Sequence, residues 1–277
     1  MIIGVNGQLG HDAVKLLSPY HKIVGLDKDT LDITNFIELQ NRITEIRPEV
    51  IINCAGYTNV DDCEKNYESA YNTNAQGCYN LALIAKKYDC ILVHISTDYV
   101  FDGEKDEPYI ESDLPNPINI YGSSKLLGET IITTISPKYF ILRTSWLYGT
   151  HGKNFVKTIL KLSETKDVIS VVNDQIGTPT YTIDLINVIS KLIKTNAYGI
   201  YHISNEGRCS WYDFAEKIIK LTNKETTIIP ITTNQSKRKA DRPHYSVLEN
   251  SMLKHRFGYT LRNWEEALTE FLKVDME

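Results

Sequence analysis

The sequence lacks the features that mark secreted, metal-binding or membrane-spanning proteins. Its five cysteines are odd in number and widely spread, and no two of them form a Cys-x-x-Cys pair. Neither a disulfide framework nor a zinc site is therefore predicted, and no residue is assigned to a metal. The chain starts at Met1 and soon reaches glycines, without a basic segment or a long apolar run. We accordingly expect no signal peptide, no transmembrane helix and a reducing, cytoplasmic location.

A strong excess of one charge is also missing. The chain contains 30 lysines and arginines against 35 aspartates and glutamates, which gives a formal net charge of −5. Because the two signs are interspersed, no field is expected that would hold nucleic acid or an anionic membrane, and neither is a predicted partner. The one basic cluster, residues 237–239, is interpreted either as a solvated loop or as a contact to a diphosphate group.

Three glycines near the start are spaced for nucleotide binding. Gly4, Gly7 and Gly10 follow a short first strand and lead into an amphipathic helix. Missing side chains let the backbone approach a pyrophosphate, which then lies at the positive end of the helix dipole. The spacing differs from the common Gly-x-Gly-x-x-Gly pattern, and a tight structural turn is the alternative interpretation. Its position between a strand and a helix favours a cofactor site.

The end of the second predicted strand bears on the choice of cofactor. Asp27 closes that strand, near the position where an acid accepts hydrogen bonds from the adenosine ribose. This favours NADH. Lys28 follows directly and could instead pair with the 2′-phosphate of NADPH, so the use of both cofactors stays open.

Apolar runs rich in branched side chains alternate with amphipathic segments through the first half of the chain. This alternation predicts an α/β fold with a doubly wound, Rossmann-type parallel sheet and right-handed crossovers. After Gly149 the helices alternate with short runs, which suits a smaller α/β substrate-binding domain. We assign residues 1–149 to a dinucleotide-binding domain, with returning segments from the C-terminal half, and residues 150–277 mainly to the substrate-binding domain. With 277 residues, of which 42% are hydrophobic, the chain can bury a full core.

Hydroxyl groups follow the apolar run at residues 91–95, which we predict to be a strand buried on both faces. Ser96 and Thr97 therefore come to the carboxyl end of a parallel strand, where ligands bind in such sheets. Tyr121 and Lys125 stand one helical turn apart on one face. A cation near a phenol favours the phenolate, so the pair predicts a proton donor that works near neutrality. With seventeen tyrosines in the chain, Tyr-x-x-x-Lys alone is weak, and a solvated tyrosine beside a lysine is the alternative.

Together these motifs resemble the extended short-chain dehydrogenase/reductase family, and within it the reductases of dTDP-L-rhamnose synthesis. The resemblance covers nearly the whole chain and implies NADPH or NADH as cofactor and a sugar nucleotide as partner. It implies reduction of the C4 ketone of the sugar. The first strand is expected to be shorter than it usually is in the family. Either a trimmed start or a frayed strand would explain this difference. The motifs are Gly7-Gln8-Leu9-Gly10, Leu31-Asp32-Ile33-Thr34, residues 96–103, residues 121–125, residues 143–149, residues 154–158 and residues 174–180.

The same resemblance implies roles for individual residues. Thr97, Tyr121 and Lys125 are expected to be catalytic, and Asn74 is expected to bind the main chain near them. Arg242 and Lys237 are expected to approach the substrate diphosphate. The expected cofactor-binding residues are Gly4, Gly7, Gln8, Leu9, Gly10, Asp27, Asp32, Ile33, Cys54, Ala55, Gly56, Tyr121 and Lys125. The expected substrate-binding residues are Thr97, Asp98, Tyr99, Tyr121, Trp146 and Asn154.

Several alternatives stay open at this point. Asp98 and Tyr99 stand where a related dehydratase has Asp-Glu, and epimerising reductases have cysteine at the position of Asp98, so simple reduction leads among enzymes. A non-catalytic protein resembling the regulatory subunit of methionine adenosyltransferase is the rival from another class. Some reductases of this kind bind Mg²⁺ through glutamates at a dimer contact, where Asp12 stands here. A monomer and a homodimer are both open. His94, His151 and His202 are interpreted as satisfied polar residues.

Overall fold

A six-stranded parallel sheet lies at the centre of the fold. The computed structural model describes residues 1–275. The strands are β1 (Ile2–Ile3), β2 (Gly25–Leu26), β3 (Val50–Asn53), β4 (Ile91–Thr97), β5 (Tyr139–Thr144), β6 (Leu147–Tyr148), β7 (Val168–Val172), β8 (Ile176–Gly177), β9 (Thr180–Tyr181), β10 (Gly199–His202), β11 (Cys209–Ser210) and β12 (Thr227–Ile231). The central sheet has the order β2-β1-β3-β4-β5-β10, and its neighbouring strands run parallel. The predicted α/β class with a parallel sheet is confirmed.

Helices cover both faces of this sheet and form the smaller layer beyond it. They are α1 (Gln8–Leu17), α2 (Phe36–Ile46), α3 (Val60–Cys63), α4 (Tyr67–Tyr71), α5 (Gly77–Lys87), α6 (Ile120–Ile135), α7 (Phe155–Ser163), α8 (Thr182–Leu192), α9 (Trp211–Leu221), α10 (Ser251–Phe257) and α11 (Trp264–Asp275). A π-helical turn at Asn72–Gln76 separates α4 from α5. The cap of α2 is Asn35, whose side chain accepts from the Glu38 N–H, and neither Asp32 nor Thr34 caps that helix.

Strand β4 shows why the sheet is buried on both sides. Successive side chains of a strand point to opposite faces. Leu92 accordingly packs with α2 and α5 residues such as Leu39 and Ile84, while Val93 packs with α1 and α8 residues such as Ala13. Both clusters exclude water from the sheet, so polar groups on these strands are confined to its carboxyl edge or must find partners inside.

The strand order reverses between β1 and β3, because the chain leaves β1 towards β2 and later builds the sheet in the other direction. Open α/β sheets bind ligands at such a reversal, in the crevice outside the carboxyl ends of the strands. A third apolar cluster lies apart from the sheet, around Tyr148, Phe214 and Phe271, with α7, α9 and α11. The parallel pair β7–β12 borders it. The crevice therefore has walls from two separate cores.

Candidate functional site

The glycine loop between β1 and α1 is packed too tightly for larger residues. Gly4 has a φ of +82°, and a Cβ there would lie 2.8 Å from the Ala55 nitrogen. A Cβ at Gly10 would lie 2.2 Å from the Gly4 carbonyl oxygen. Gly7 is the N-cap of α1. The loop therefore brings bare main chain to the start of a helix, which is the arrangement that binds a pyrophosphate.

A cavity of about 330 Å³ lies beside this loop, at the carboxyl ends of β1 to β3. Asp27 borders it, and its Oδ1 accepts from the Thr30 hydroxyl at 3.0 Å and from the Asp29 N–H at 3.1 Å. Lys28 lines the same cavity. The predicted cofactor residues found on its wall are Gly4, Gly7, Asp27, Asp32, Ile33, Cys54, Ala55 and Gly56.

A second cavity, of about 430 Å³, adjoins the first and shares Gly7 and residues 54–56 with it. We call it the catalytic cleft. It brings the remaining predicted cofactor residues together with most of the predicted catalytic and substrate residues. These are Gln8, Leu9, Gly10, Thr97, Asp98, Tyr99, Tyr121, Lys125 and Trp146.

Thr97 and Tyr121 face each other across the cleft. Thr97 is the last residue of β4, and its hydroxyl donates to Asp98 Oδ1 at 3.0 Å. Tyr121 lies in the first turn of α6, which Asn119 caps by accepting from the Gly122 N–H at 2.8 Å. The pKa of Tyr121 is raised above its ordinary value, mainly by burial, and a hydrogen bond with the Thr97 hydroxyl offsets only part of this increase. The phenol is thus protonated at neutral pH and has a proton to give.

The expected effect of Lys125 on this phenol is not found. The Lys125 side chain is buried, and its nitrogen donates to the Ile95 carbonyl oxygen at 2.5 Å and lies 3.1 Å from His94 Nε2. Burial lowers the pKa of Lys125 itself. Burial is the main influence on the pKa of Tyr121, and Lys125 is not among the groups that shift it, so the effect expected of Lys125 stays a prediction.

Asp98 and Tyr99 complete the floor of the cleft. The pKa of Asp98 is raised to about 6, because the effect of burial exceeds the opposing effect of the hydrogen bonds with Ser246 and Thr97. The rings of Tyr99 and Tyr121 meet edge to face with centroids 5.7 Å apart. Such aromatic pairs restrict each other's orientation. Tyr99 therefore helps to hold the phenol of Tyr121 in place.

Two stacked tryptophans form the opposite wall. The Trp146 and Trp211 rings are parallel within 7°, with centroids 3.5 Å apart, and both line the cleft. A Cβ at Gly177 would lie 2.5 Å from the Trp146 ring, so that glycine makes room for the indole. Both tryptophans are half-buried, so neither indole is fully packed into the core. Sequence reasoning missed Trp211, although it stands directly after the N-cap Ser210.

Asn74 lies on the π-helical turn behind the cleft. Its Oδ1 accepts from the Tyr57 N–H at 2.8 Å, and its Nδ2 donates to the Tyr57 carbonyl at 3.0 Å and to the Ser124 hydroxyl at 2.9 Å. The expectation that Asn74 binds the main chain near the site is confirmed. The side chain thereby joins the loop after β3 to α6.

Comparison with known proteins decides the family. A family model described as "RmlD substrate binding domain" matches residues 1–276. The chain belongs to this RmlD family. It is 42% identical to the dTDP-4-dehydrorhamnose reductase of Aggregatibacter actinomycetemcomitans, over 97% of this chain and 96% of that protein. It is also 42% identical to the spore coat polysaccharide biosynthesis protein SpsK of Bacillus subtilis, over 99% and 96% of the two chains. The crystal structure of dTDP-4-dehydrorhamnose reductase from Bacillus anthracis in complex with NADP superposes with a TM-score of 0.97, at 47% identity, covering 99% of this chain and 98% of that one.

In this member of the RmlD family, Asn154 does not line the catalytic cleft. Its Oδ1 accepts from the Lys157 N–H at 3.0 Å, and its Nδ2 donates to the Gly149 carbonyl at 2.8 Å. The amide oxygen thus caps α7, and the amide nitrogen binds the main chain just after β6. The structure therefore does not support the expected substrate contact. The apolar pattern of α7 does not indicate whether the asparagine before the helix caps it or binds a ligand.

Arg242 is likewise engaged within the protein. Its two terminal nitrogens contact the Asp61 carboxylate at 3.2 and 3.0 Å. Although burial raises the pKa of Asp61, the Arg242 guanidinium and the Ala240 and Lys239 amides lower it below its usual range. Lys237 lines an open polar depression beside this pair. Arg242 thus holds the segment carrying Lys237 against α3, and its predicted contact to a diphosphate stays a prediction.

The position discussed for Mg²⁺ does not fit that ion in this RmlD family member. The Asp12 carboxylate is fully buried and accepts hydrogen bonds from the hydroxyls of Thr150, at 3.0 Å, and Thr182, at 2.5 Å. Within residues 1–275, no group of three or more His, Cys, Asp or Glu side chains could hold a metal ion. Over the same residues no helix is long and apolar enough to span a bilayer.

Proposed function

We propose that this protein reduces the C4 ketone of dTDP-4-dehydro-L-rhamnose to dTDP-L-rhamnose, with NADPH or NADH as the hydride donor. The main support is the catalytic cleft, which brings Thr97, Tyr121 and Lys125 together. It adjoins a second cavity that is lined by the glycine loop and suits a nucleotide. The names of full-length relatives at 42 to 47% identity support the substrate. Their NADP complex supports the cofactor.

The residues present fit the proposed cofactor. Main chain at Gly4 and Gly10 leaves a cradle that a Cβ would fill, and the α1 N-terminus favours a pyrophosphate there. Asp27 would accept from the adenosine ribose, whereas Lys28 would meet a 2′-phosphate. When bound, the cofactor supplies the hydride. Everything else in the reaction is done by side chains of this chain.

Tyr121 is the proposed proton donor. Its phenol stays protonated at neutral pH and gives its proton to the ketone oxygen as negative charge develops on it. The Thr97 hydroxyl, which donates to Asp98 Oδ1 in the structure, would turn to donate its hydrogen to the same oxygen, and Lys125 would hold the nicotinamide ribose. The stacked Trp146 and Trp211 offer an apolar face to the sugar. The cleft thereby orients the carbonyl and keeps bulk water from the reacting atoms.

Other assignments belong to the same proposal. A cytoplasmic location is supported by the five cysteines, all of them free thiols. The division at residues 149 and 150 is supported by the separate apolar cluster around Phe214. Either a monomer or a homodimer is compatible with the proposed chemistry, and light scattering distinguishes them. No nucleic-acid partner is proposed, because the net charge of −5 gives no basic surface excess.

A screen of sugar nucleotides tests the function. The purified protein is mixed with NADPH or NADH and with dTDP-4-dehydro-L-rhamnose, other dTDP-4-keto sugars, or the free 4-keto sugar. We expect steady cofactor oxidation with the first and little with the free sugar, because remote binding of the nucleotide is needed for turnover. Turnover of a different 4-keto sugar nucleotide alone would change the substrate. Absence of all turnover, together with tight binding to a methionine adenosyltransferase, would replace the reductase by the regulatory subunit.

A further inference from the structure

Strands β4 and β5 carry a matched pair of polar side chains one residue before they end at the catalytic cleft. Ser96 of β4 is paired in register with Arg143 of β5, so both side chains point to the same face of the sheet. Helix α6 covers that face and brings Glu129 into contact with both of them. The relative exposures are 3% for Ser96 and 2% for Glu129 and Arg143. The cluster is therefore closed to water, and its members must satisfy one another.

The Glu129 carboxylate accepts hydrogen bonds from both strands. Its Oε1 accepts from the Ser96 hydroxyl at 2.5 Å and from Arg143 Nε at 3.1 Å. Its Oε2 accepts from Arg143 Nη2 at 2.7 Å. The guanidinium carbon of Arg143 also lies 5.2 Å from the centre of the Phe101 ring, in the segment that follows β4, and such a cation and ring attract each other. One carboxylate thus joins α6 to the ends of two strands, and its partner supports the segment after β4.

Glu129 also lies on the face of α6 that carries the residues proposed for the chemistry. Tyr121, Lys125 and Glu129 follow one another at intervals of four residues, about one helical turn each. The Lys125 nitrogen donates to the carbonyl oxygen of the residue before Ser96 at 2.5 Å, and Glu129 binds Ser96 itself. Helix α6 is thus attached at two successive residues to the strand that ends in Thr97. Together these contacts fix both the height and the rotation of the helix on the strand.

Stability alone does not explain a buried ion pair at this place. Removing two charges from water offsets most of their attraction, so apolar side chains of the same volume would stabilise a fold about as well. What the Glu129 cluster adds is direction, because hydrogen bonds form only within a narrow range of distances and angles. A slide of α6 along β4 by about 1 Å would break the bond between Glu129 and Ser96.

We propose that Glu129 is a positioning residue for proton transfer: its hydrogen bonds to Ser96 and Arg143 hold α6 in the register at which Tyr121 faces Thr97 across the cleft. Glu129 itself does not line the catalytic cleft and acts through the helix. The rate is sensitive to such a displacement, because misplacing a reacting group by about 1 Å can cost about a hundredfold. This inference deepens the proposed function and rests on it for the reaction, whereas the register of α6 is a property of the protein alone.

Ser96→Ala tests the positioning role with little change in packing. It removes the hydroxyl that joins α6 to β4 and leaves the ion pair of Glu129 and Arg143 in place. We expect kcat for the 4-keto sugar nucleotide to fall about tenfold, with KM and cofactor affinity within about twofold of the parent, because proton transfer depends on the register and binding does not. The solvent deuterium isotope effect on kcat should rise, because proton transfer then limits the rate more strongly.

The matched control is Ser136→Ala. Ser136 is also 3% exposed, but it lies at the far end of α6, where it is the C-cap. Its loss should leave kcat and the isotope effect unchanged. A second variant, Glu129→Met combined with Arg143→Met, replaces the ion pair by apolar side chains. It should unfold at a temperature close to that of the parent, yet its kcat should fall about a hundredfold. Parent-like kcat in Ser96→Ala and in the double variant, or equal kcat losses in Ser96→Ala and Ser136→Ala, would overturn the proposal.

Hydrogen exchange measured by mass spectrometry tests the register without any substrate. In Ser96→Ala and in the double variant, amide exchange should become faster in peptides from the first half of α6, residues 120–128. Ser136→Ala should leave that half unchanged. Exchange equal to that of the parent in both cluster variants would overturn the proposal, even if kcat falls. If no sugar nucleotide is turned over, the proposed function fails, and the exchange result still decides whether Glu129 fixes the register of α6.

Discussion

The two walls of the catalytic cleft are built by different means. The wall that we propose for the cofactor is main chain of the loop from Gly4 to Gly10, where both glycines approach other backbone so closely that a Cβ has no room. The wall that we propose for the sugar consists of two indoles, Trp146 and Trp211, that belong to separate stretches of the chain and meet only after folding. Backbone recognition suits a ligand common to many enzymes, whereas a side-chain wall can be changed without disturbing the loop. Selective damage to each wall tests this difference.

The largest effect is expected from Gly10→Ala. The added Cβ would lie 2.2 Å from the Gly4 carbonyl oxygen, so the loop must move. We expect the affinity for both reduced cofactors, measured by fluorescence titration, to fall about a hundredfold or more. Equal cofactor affinities of Gly10→Ala and the parent would show that the loop does not recognise the cofactor.

Tyr121→Phe acts between the two walls and tests the chemistry. It removes the transferable proton and leaves the ring that meets Tyr99. We expect kcat to fall about a hundredfold or more, the usual effect of deleting a general acid, while cofactor affinity is unchanged. Single-turnover measurements with the reduced cofactor check the chemical step. A kcat within a few fold of the parent would exclude Tyr121 as the proton donor.

Trp211→Ala tests the wall that we propose for the sugar. Loss of the ring exposes one face of Trp146 and removes part of the apolar wall. We expect KM for the sugar nucleotide to rise about tenfold, since burial of an aromatic side chain contributes about 1–3 kcal/mol. Cofactor affinity should stay the same. Trp211→Phe keeps an aromatic face and should lie between the two. A raised cofactor dissociation constant would mean that the two walls are not independent.

Lys28→Ala should have the smallest effect. Lys28 lines the nucleotide cavity, but it lies in solvent, where one charge pair contributes up to about 1 kcal/mol. We expect the affinity for NADPH to fall about threefold to fivefold, with NADH unaffected. Titration of both cofactors at low and high salt measures this difference. An equal loss for both cofactors would mean that Lys28 does not meet a 2′-phosphate.

Short-range patterns explain how much could be predicted. The strands, the glycine loop and the pair Tyr121 and Lys125 depend on spacings of a few residues, and the structure places the loop and the pair on the walls of two adjoining cavities. The partners of Lys125 could not be predicted, because they depend on the register of β3 against β4. Asp61 and Arg242 meet across 181 residues of sequence. Spacing within one helix likewise indicates that a tyrosine and a lysine share a face, but not how far water is excluded from them.

The separate core around Tyr148, Phe214 and Phe271 has a consequence for how new specificities arise. Substitutions on the sugar side are supported by packing that the sheet does not share. Substitutions on α9 during evolution can therefore change the sugar specificity without changing the residues proposed for hydride transfer. We expect chimaeras that exchange the segment from Trp211 to Leu221 between relatives to alter the choice of sugar sooner than the choice of cofactor.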